Sequence, residues 1–465
     1  MSTPVNPTDA LLDRAQELRR ALGSNFRDEL VEAIYADAQA IADRATIKSD
    51  SGKLDFDQRV DRLLTSPMLG LPLMILVLAV VFWLTIAGAN VPSQMLMTGL
   101  FWVESAGSSL FERFDAPWWL TGFVWHGVYR SLAWVVAVML PPMAIFFPMF
   151  TMLEDLGYLP RVAFNLDRLF SKAGAHGKQV LTMSMGFGCN AAGVIACRTI
   201  DSPRERLIAI LTNNFVPCNG RWPTLILLAT VFIAAVFPPE LASVAAAGSV
   251  VMIAVIGVLF TLMISGLLSR TVLKGTPSAF TLELPPYRRP SVVRILYTSF
   301  IDRTMFVLWR AIVFSAPAGG LIWLLANVTV SGQPLALYLT DWLDPIGYAI
   351  GLDGVILLAF IIAIPANEIV VPTMLMLYLG NTMMTEELSS SSDWRSLLIG
   401  EHDWTLLTAV NLMLFSLLHN PCSTTIYTIW KETGSAKWTA FGALMPLAVG
   451  LVVTLTIAQV WYLFT

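Results

Sequence analysis

Six uninterrupted apolar runs, at about 68–87, 132–152, 222–238, 243–268, 311–328 and 438–464, are mostly long enough to cross a hydrocarbon core as helices. In lipid every backbone N–H and C=O must find its partner within the protein, so such a chain is driven to a helical bundle. Composition agrees, with 56% hydrophobic residues and 13% charged ones, a charged share about half that of soluble domains. The fold class is an all-α polytopic membrane protein. Shorter, broken runs at about 180–197, 207–217, 350–380 and 404–430 collect the glycines, prolines and polar residues. Net charge is −4, and the basic residues are spread over loops, so nucleic acid is not a partner.

The N-terminus lacks the charged-then-apolar-then-small pattern of a cleaved signal. Residues 10 to 46 read as a soluble helix, with Leu11, Leu12, Ala15, Leu18 and Leu22, then Leu30, Ile34 and Ala38, at spacings of three and four. This segment is either a docking surface or a solvated extension. Arg59 and Arg62 precede the first span and place the N-terminus in the cytoplasm. Segments 154–206 and 269–310 are rich in Lys and Arg and belong on the same side. Segment 329–349 has neither, and 381–403 sets Glu386, Glu387, Asp393, Glu401 and Asp403 against Arg395, so both belong outside.

These assignments close only if 180–217 dips in from the cytoplasm and returns, and 350–380 does the same from the other side. Two units of one plan and opposite orientation result, each with a proline-bearing span (Pro141 and Pro142; Pro317), a re-entrant pair and two further spans. The expected division is a cytosolic helical spacer at 1–65, a first transmembrane helix with an external segment at 66–122, a first repeat at 123–268, a cytosolic connector at 269–310 and a second repeat at 311–465. Inverted repeats of this kind commonly hold their substrate at mid-membrane between the halves.

All four cysteines fall in apolar segments, so a reduced state is the simpler reading. Two form Pro-Cys pairs, Val216-Pro217-Cys218-Asn219 and Asn420-Pro421-Cys422-Ser423, and Cys189 lies in Gly186-Phe187-Gly188-Cys189-Asn190. Proline has no N–H, so Pro217 frees the carbonyl of Asn213, Pro421 that of Leu417 and Pro372 that of Glu368. Freed carbonyls beside thiols suit a transition-metal cation. Glu368 is expensive at membrane depth, about 2.5–3.5 kcal/mol on the lenient insertion scale, which points to a cation or proton as its partner; the alternative is a structural pair with Arg221. Cys189 could instead be a packed thiol and His419 a hydrogen-bonded core histidine. Cys197, with neither glycine nor proline beside it, reads as a small buried hydrophobe. Thiol, imidazole and carboxylate together favour iron, zinc or cobalt over magnesium or calcium. Asn190, Asn213, Asn214 and Asn367 add neutral oxygens suited to weak, exchangeable ligation.

Several segments resemble the membrane part of the ferrous-iron transport protein B family, over nearly the whole chain from about residue 55. Leu153-Glu154-Asp155-Leu156-Gly157-Tyr158-Leu159-Pro160-Arg161 resembles the family's Leu-Glu-Asp-x-Gly-Tyr-x-x-Arg, and Gly186 to Asn190 resembles its glycine-cysteine motif. Cys197 to Leu207 and Glu283-Leu284-Pro285-Pro286-Tyr287 are similar to two further family stretches. The resemblance implies two inverted gate-type repeats, Fe(II) uptake across a bacterial inner membrane, and iron ligation by Cys189 and Cys422. Glu368 matches the acidic residue of an Ala-Lys-Glu segment whose lysine is here Asn367. The metal path expected is Cys189, Cys218, Cys422 and Glu368, assisted by Asn190, Asn214 and His419, with gating at Pro217, Pro421, Gly186, Gly188 and Glu154.

Two departures from the family bear on function. The family's usual chain begins with a GTP-binding domain, and no Gly-x-x-x-x-Gly-Lys-Ser/Thr phosphate loop occurs in this sequence. The expectation is a transporter, not an enzyme, with no tightly bound cofactor and with any GTPase supplied by a separate chain that docks on the N-terminal spacer. The first gate reads Pro217-Cys218-Asn219-Gly220-Arg221 where the family has Ser-Cys-Gly-Ala-Arg, which leaves manganese, zinc and cobalt open beside iron. Other partners are the lipid bilayer, the divalent ion and further copies of the chain. The alternative functions are a nucleoside-type transporter and a non-transporting metal sensor.

Overall fold

The computed structural model describes residues 26–45, 56–66, 69–175, 177–275, 287, 290–330, 332–380 and 391–464. Residues 10–25 of the expected N-terminal helix, Glu386, Glu387 and residues 283–286 lie outside the described residues. Helix α1 (Phe26–Ala45) belongs to a separate compact unit and carries Leu30 and Ile34 exposed. Helix α2 (Phe56–Leu64) precedes the first long apolar helix, α3 (Gly70–Arg113). At about 1.5 Å per residue α3 runs far beyond a hydrocarbon core of roughly 30 Å. It does not stop where the apolar run ends near 87, because Pro92 is accommodated inside the helix.

The remaining long helices follow one order twice. The first set is α4 (Trp118–Asp155), α5 (Tyr158–Lys172), α6 (Gln179–Gly188), α7 (Asn190–Ala196), α8 (Pro203–Thr212), α9 (Trp222–Leu228) and α10 (Pro239–Arg270). The second is α11 (Val292–Asn327), α12 (Leu335–Ala349), α13 (Gly354–Ile362), α14 (Val370–Tyr378), α15 (Leu406–Leu418), α16 (Ser423–Thr433) and α17 (Ala436–Phe464). Among the described residues seven helices are long and apolar enough to cross a membrane, three of them in each set and α3 before them. An odd number of crossings in the first set makes the second begin from the opposite face.

In each set the short pair (α6 with α7, α13 with α14) is too short to cross. Ten residues of α6 rise about 15 Å, half a hydrocarbon core. The two limbs of the first pair pack closely, since a Cβ on Gly193 would lie 2.8 Å from the carbonyl oxygen of Thr182. The re-entrant element therefore ends at 196. Residues 203–217, expected as its return limb, are instead the first half of a broken span, Pro203–Val236, interrupted between α8 and α9. The span Leu406–Thr433 has the same form, with its interruption between α15 and α16. Pro217 and Pro421 sit in these interruptions, where the missing N–H and the ring end the preceding helix.

The last helix of each set fits its broken neighbour through a glycine. A Cβ on Gly257 of α10 would approach Phe215 O to 2.4 Å, and one on Gly450 of α17 would meet Leu418 O at 3.4 Å. Four residues on, Thr261 and Thr454 each return a hydroxyl hydrogen bond to that glycine's carbonyl, at 3.0 and 2.9 Å. The same Gly-x-x-x-Thr device thus recurs at equivalent places. Two of the sequence segments singled out above also meet: the guanidinium of buried Arg161 stacks over the Tyr287 ring at 4.1 Å and donates to Gly157 O at 2.7 Å.

Candidate functional site

The four interruptions hold the four strongest ligand candidates. Cys189 is the extended residue, φ −153 and ψ 123, that separates α6 from α7. Cys218 lies between α8 and α9 and Cys422 caps the N-terminus of α16. Glu368 falls in the single turn Asn367–Ile369 between α13 and α14. A residue at such a break is free of helical geometry, and the next helix begins beside it.

All four line one cavity of about 30 Å³, with Asn190 from the first set and Pro365 to Asn367 from the second. That space admits roughly one water or one bare ion. Among the described residues no three His, Cys, Asp or Glu side chains converge into a closed metal centre. The donors share a wall without forming a finished coordination sphere. The sequence reading missed Met139 and Met143 of α4, which add thioethers to that wall. Their spacing of four around Pro141-Pro142 was the available signal.

The proline-freed carbonyls take another course from the one expected. Leu417 O accepts from Arg221 Nη1 at 2.8 Å, Glu368 O accepts from Trp134 Nε1 at 3.3 Å and Asn213 O accepts from Val216 N at 3.3 Å. Each has a protein donor, as buried carbonyls require. The idea that these carbonyls are offered to a cation is corrected accordingly; the donors facing the cavity are side chains.

Nor is Arg221 the salt-bridge partner of Glu368. Its side chain is buried and reaches across the two sets, with Nη1 to Asn214 O (2.7 Å) and Nη2 to Asn214 Oδ1 (3.1 Å) and His419 O (3.3 Å). Among the described residues no basic side chain lies within ion-pair distance of Glu368. Its carboxylate instead rests over Gly220, where a Cβ would come 2.5 Å from Oε1 and 3.1 Å from Oε2.

The assisting residues are placed variously. Asn190 lines the cavity with its side-chain amide 3.2 Å from Asn214 Oδ1, while Asn214 Nδ2 donates to His419 O at 2.8 Å, so Asn214 stitches the interruptions together. His419 is 2% exposed, lies outside the cavity wall and engages both ring nitrogens, Nδ1 with Ser416 O at 2.8 Å and Nε2 with the Asn367 amide at 3.3 Å. Cys197 is buried and donates its thiol to Gly193 O at 3.3 Å. Gly186 and Gly188 allow close packing, since Cβ atoms there would lie 3.0 Å from Asn213 Oδ1 and 2.2 Å from the Phe146 ring. Glu154 is remote, on a separate cavity with Leu181, Met185 and Phe306 at the far end of α4.

Gly220 gives a direct test of the Glu368 position. Gly220→Ala should leave a folded protein, because the atom that must yield is the end of a flexible side chain, yet displace the carboxylate from the wall. Displacements of this order change rates by about 10- to 100-fold. The measurement is metal flux in liposomes, with Gly99→Ala, which meets open space, as the unaffected control.

Comparison with known proteins matches residues 136–232 and 308–436 to the family described as Gate, nucleoside recognition, once in each set of helices. Residues 250–302 match the family described as ferrous iron transport protein B C terminus. A Staphylococcus aureus protein named Fe(2+) transporter FeoB is 28% identical over 476 residues, covering 100% of this chain and 68% of the relative. A Methanocaldococcus jannaschii protein of the same name is 30% identical over 435 residues, covering 90% of this chain and 60% of the relative. A Porphyromonas gingivalis protein named Fe(2+) transport protein A/Fe(2+) transporter FeoB fusion protein is 25% identical over 449 residues, covering 87% and 52%. No solved structure matches the chain.

Proposed function

Because this chain belongs to the ferrous-iron transport protein B family, as its membrane domain, we propose that it passes Fe(II) across a bacterial inner membrane through the cavity shared by Cys189, Cys218, Cys422 and Glu368. The observation that carries this reading is their convergence from four helix interruptions, two in each set, on one space of about 30 Å³. Three thiols and a carboxylate suit a borderline-to-soft divalent cation and disfavour magnesium and calcium. In this reading Asn190, Asn214 and His419 hold the interruptions in register, and movement of one set against the other closes the donors round the ion and opens them again. Incomplete convergence suits a carrier, which must release what it binds.

The positive-inside pattern supports a cytoplasmic N-terminus. The Porphyromonas gingivalis relative, named as a fusion with Fe(2+) transport protein A, supports a protein partner. A nucleoside is a poor fit, because pockets for organic ligands run to about 300–1,000 Å³. Anaerobic liposomes holding the purified chain and an Fe(II)-quenched dye test the proposal. Influx above that of empty liposomes, competed by Co(II) or Zn(II) but not by a large excess of Mg(II), is expected. Nucleoside influx would replace this reading with the first alternative, and metal binding with no flux would replace it with a sensor.

A further inference from the structure

A cavity of about 380 Å³ adjoins the small one between the repeats. Helix α11 gives Val307 and Ala311 to the small cavity and the neighbouring Phe306 and Arg310 to the larger, and α16 gives Thr425 to the first and, one turn on, Thr428 to the second. Both arginines of the larger cavity, Arg198 and Arg310, lie in segments that loop charges assign to the cytoplasm, so this cavity is the inner neighbour of the two. Its charged groups are Arg198, Arg310, Lys431 and Glu432. Glu432 is already taken by Arg198, whose Nε donates to Oε2 at 2.8 Å and Nη2 to Oε1 at 2.7 Å. Among the described residues no carboxylate lies within ion-pair distance of Arg310 or Lys431. Arg310 is 9% exposed and held in place, with Nη1 donating to Thr428 Oγ1 at 2.9 Å and Cζ 4.0 Å from the centre of the Phe306 ring. A guanidinium has five N–H donors, and the bond to Thr428 uses one of them. A charge so nearly buried calls for a counter-charge.

We propose that this cavity binds a small multivalent oxyanion of the phosphate type on Arg310 and Lys431. A fixed guanidinium fork presents paired N–H donors to such an anion, and the flexible ammonium adds a second charge. The same two charges repel a free cation. At about 380 Å³ the cavity admits the anion with part of its water shell, whereas about 30 Å³ between the repeats admits a bare metal ion. A metal ion leaving the small cavity inward must pass Arg310. An anion bound there cancels the positive charge on that route, so its presence should speed release. That role rests on the transport reading; the binding itself does not.

Equilibrium dialysis of radiolabelled inorganic phosphate against the purified full chain, at fixed ionic strength, tests the site without transport. Wild type should bind phosphate saturably. Lys431→Gln, at an exposed position, should bind it about tenfold more weakly, the size of one charge-assisted hydrogen bond, and Arg310→Gln should lose it. Glu432→Gln should move the other way, to binding about tenfold tighter, because it frees Arg198 for the anion. A merely structural role for these residues predicts no such gain. Bilayers with and without phosphatidic acid separate the two sources of a phosphate group: displacement of phosphate by that lipid assigns the site to a headgroup, and retention assigns it to a soluble anion. No saturable binding by wild type, or wild-type affinity in both Lys431→Gln and Glu432→Gln, would overturn the site. Fe(II) flux should be faster into liposomes loaded with sulfate than into those loaded with chloride. Phosphate binding with equal flux in the two would keep the site and reject its role in release.

Discussion

Cys189→Ser and Glu368→Gln, made singly, should each abolish Fe(II) flux and leave the protein folded. Serine at 189 keeps the size and the extended backbone of the break but offers a hard hydroxyl in place of a thiol that can ionise. Glutamine at 368 fits the same space over Gly220 and removes the carboxylate that, among the described residues, the cavity wall carries. Changes to groups that merely orient a ligand reduce metal affinity about 10- to 100-fold, so losing a ligand should reduce flux by at least the upper figure. Cys197→Ser is the matched control, because that thiol is buried on Gly193 O, away from the cavity, and its flux should equal wild type. Flux in dye-loaded liposomes, paired with melting curves in detergent, separates ligand loss from unfolding. Wild-type flux in both site variants would take the cavity out of the path.

The helical class, the repeated order and the helix breaks that hold the cysteines and Glu368 were legible in the sequence because their signals are local. Apolar run length sets which segments can cross, and a proline or paired glycines mark where a helix stops. The fate of the freed carbonyls was not legible. Arg221 and Leu417 are 196 residues apart, and Trp134 and Glu368 are 234 apart; proline identifies the orphaned acceptor, whereas the donor arrives from the other half of the fold. The limits of the first re-entrant pair were misjudged for a related reason. Residues 203–212 are short and carry three charged side chains, so by composition alone they resemble a returning limb more than half of a span. His419 beside a Pro-Cys pair looked like a ligand, and only the packed structure shows both its nitrogens occupied within the core.

Arg221 is where the two halves depend most on one side chain, and its replacement should have the largest effect on folding. Four contacts link its guanidinium to Asn214 O, Asn214 Oδ1, Leu417 O and His419 O. Arg221→Met strips the donor from Asn214 O and from Leu417 O, while His419 O keeps the Asn214 amide, at about 1–3 kcal/mol for each acceptor left unsatisfied. Stability margins of folded proteins are about 5–15 kcal/mol, so the loss takes a large fraction of the margin and the variant should melt well below wild type. Arg221→Lys should fall between, because a single ammonium with three donors cannot span the fork that serves both breaks. Size-exclusion profiles and melting curves read this order directly, and equal stability for all three proteins would remove Arg221 from the junction. The same residue also sets a condition on the cavity. Its fixed positive charge is held at Asn214 O and His419 O, in the same breaks that carry Cys218 and Cys422 to the cavity wall, so a cation in the cavity must be attracted by the thiols and Glu368 more than it is repelled by the guanidinium. That opposition limits residence time. Whatever Arg221→Lys protein does fold should keep the opposing charge and release the ion at near the wild-type rate, which stopped-flow Fe(II) release from liposome-embedded protein would measure.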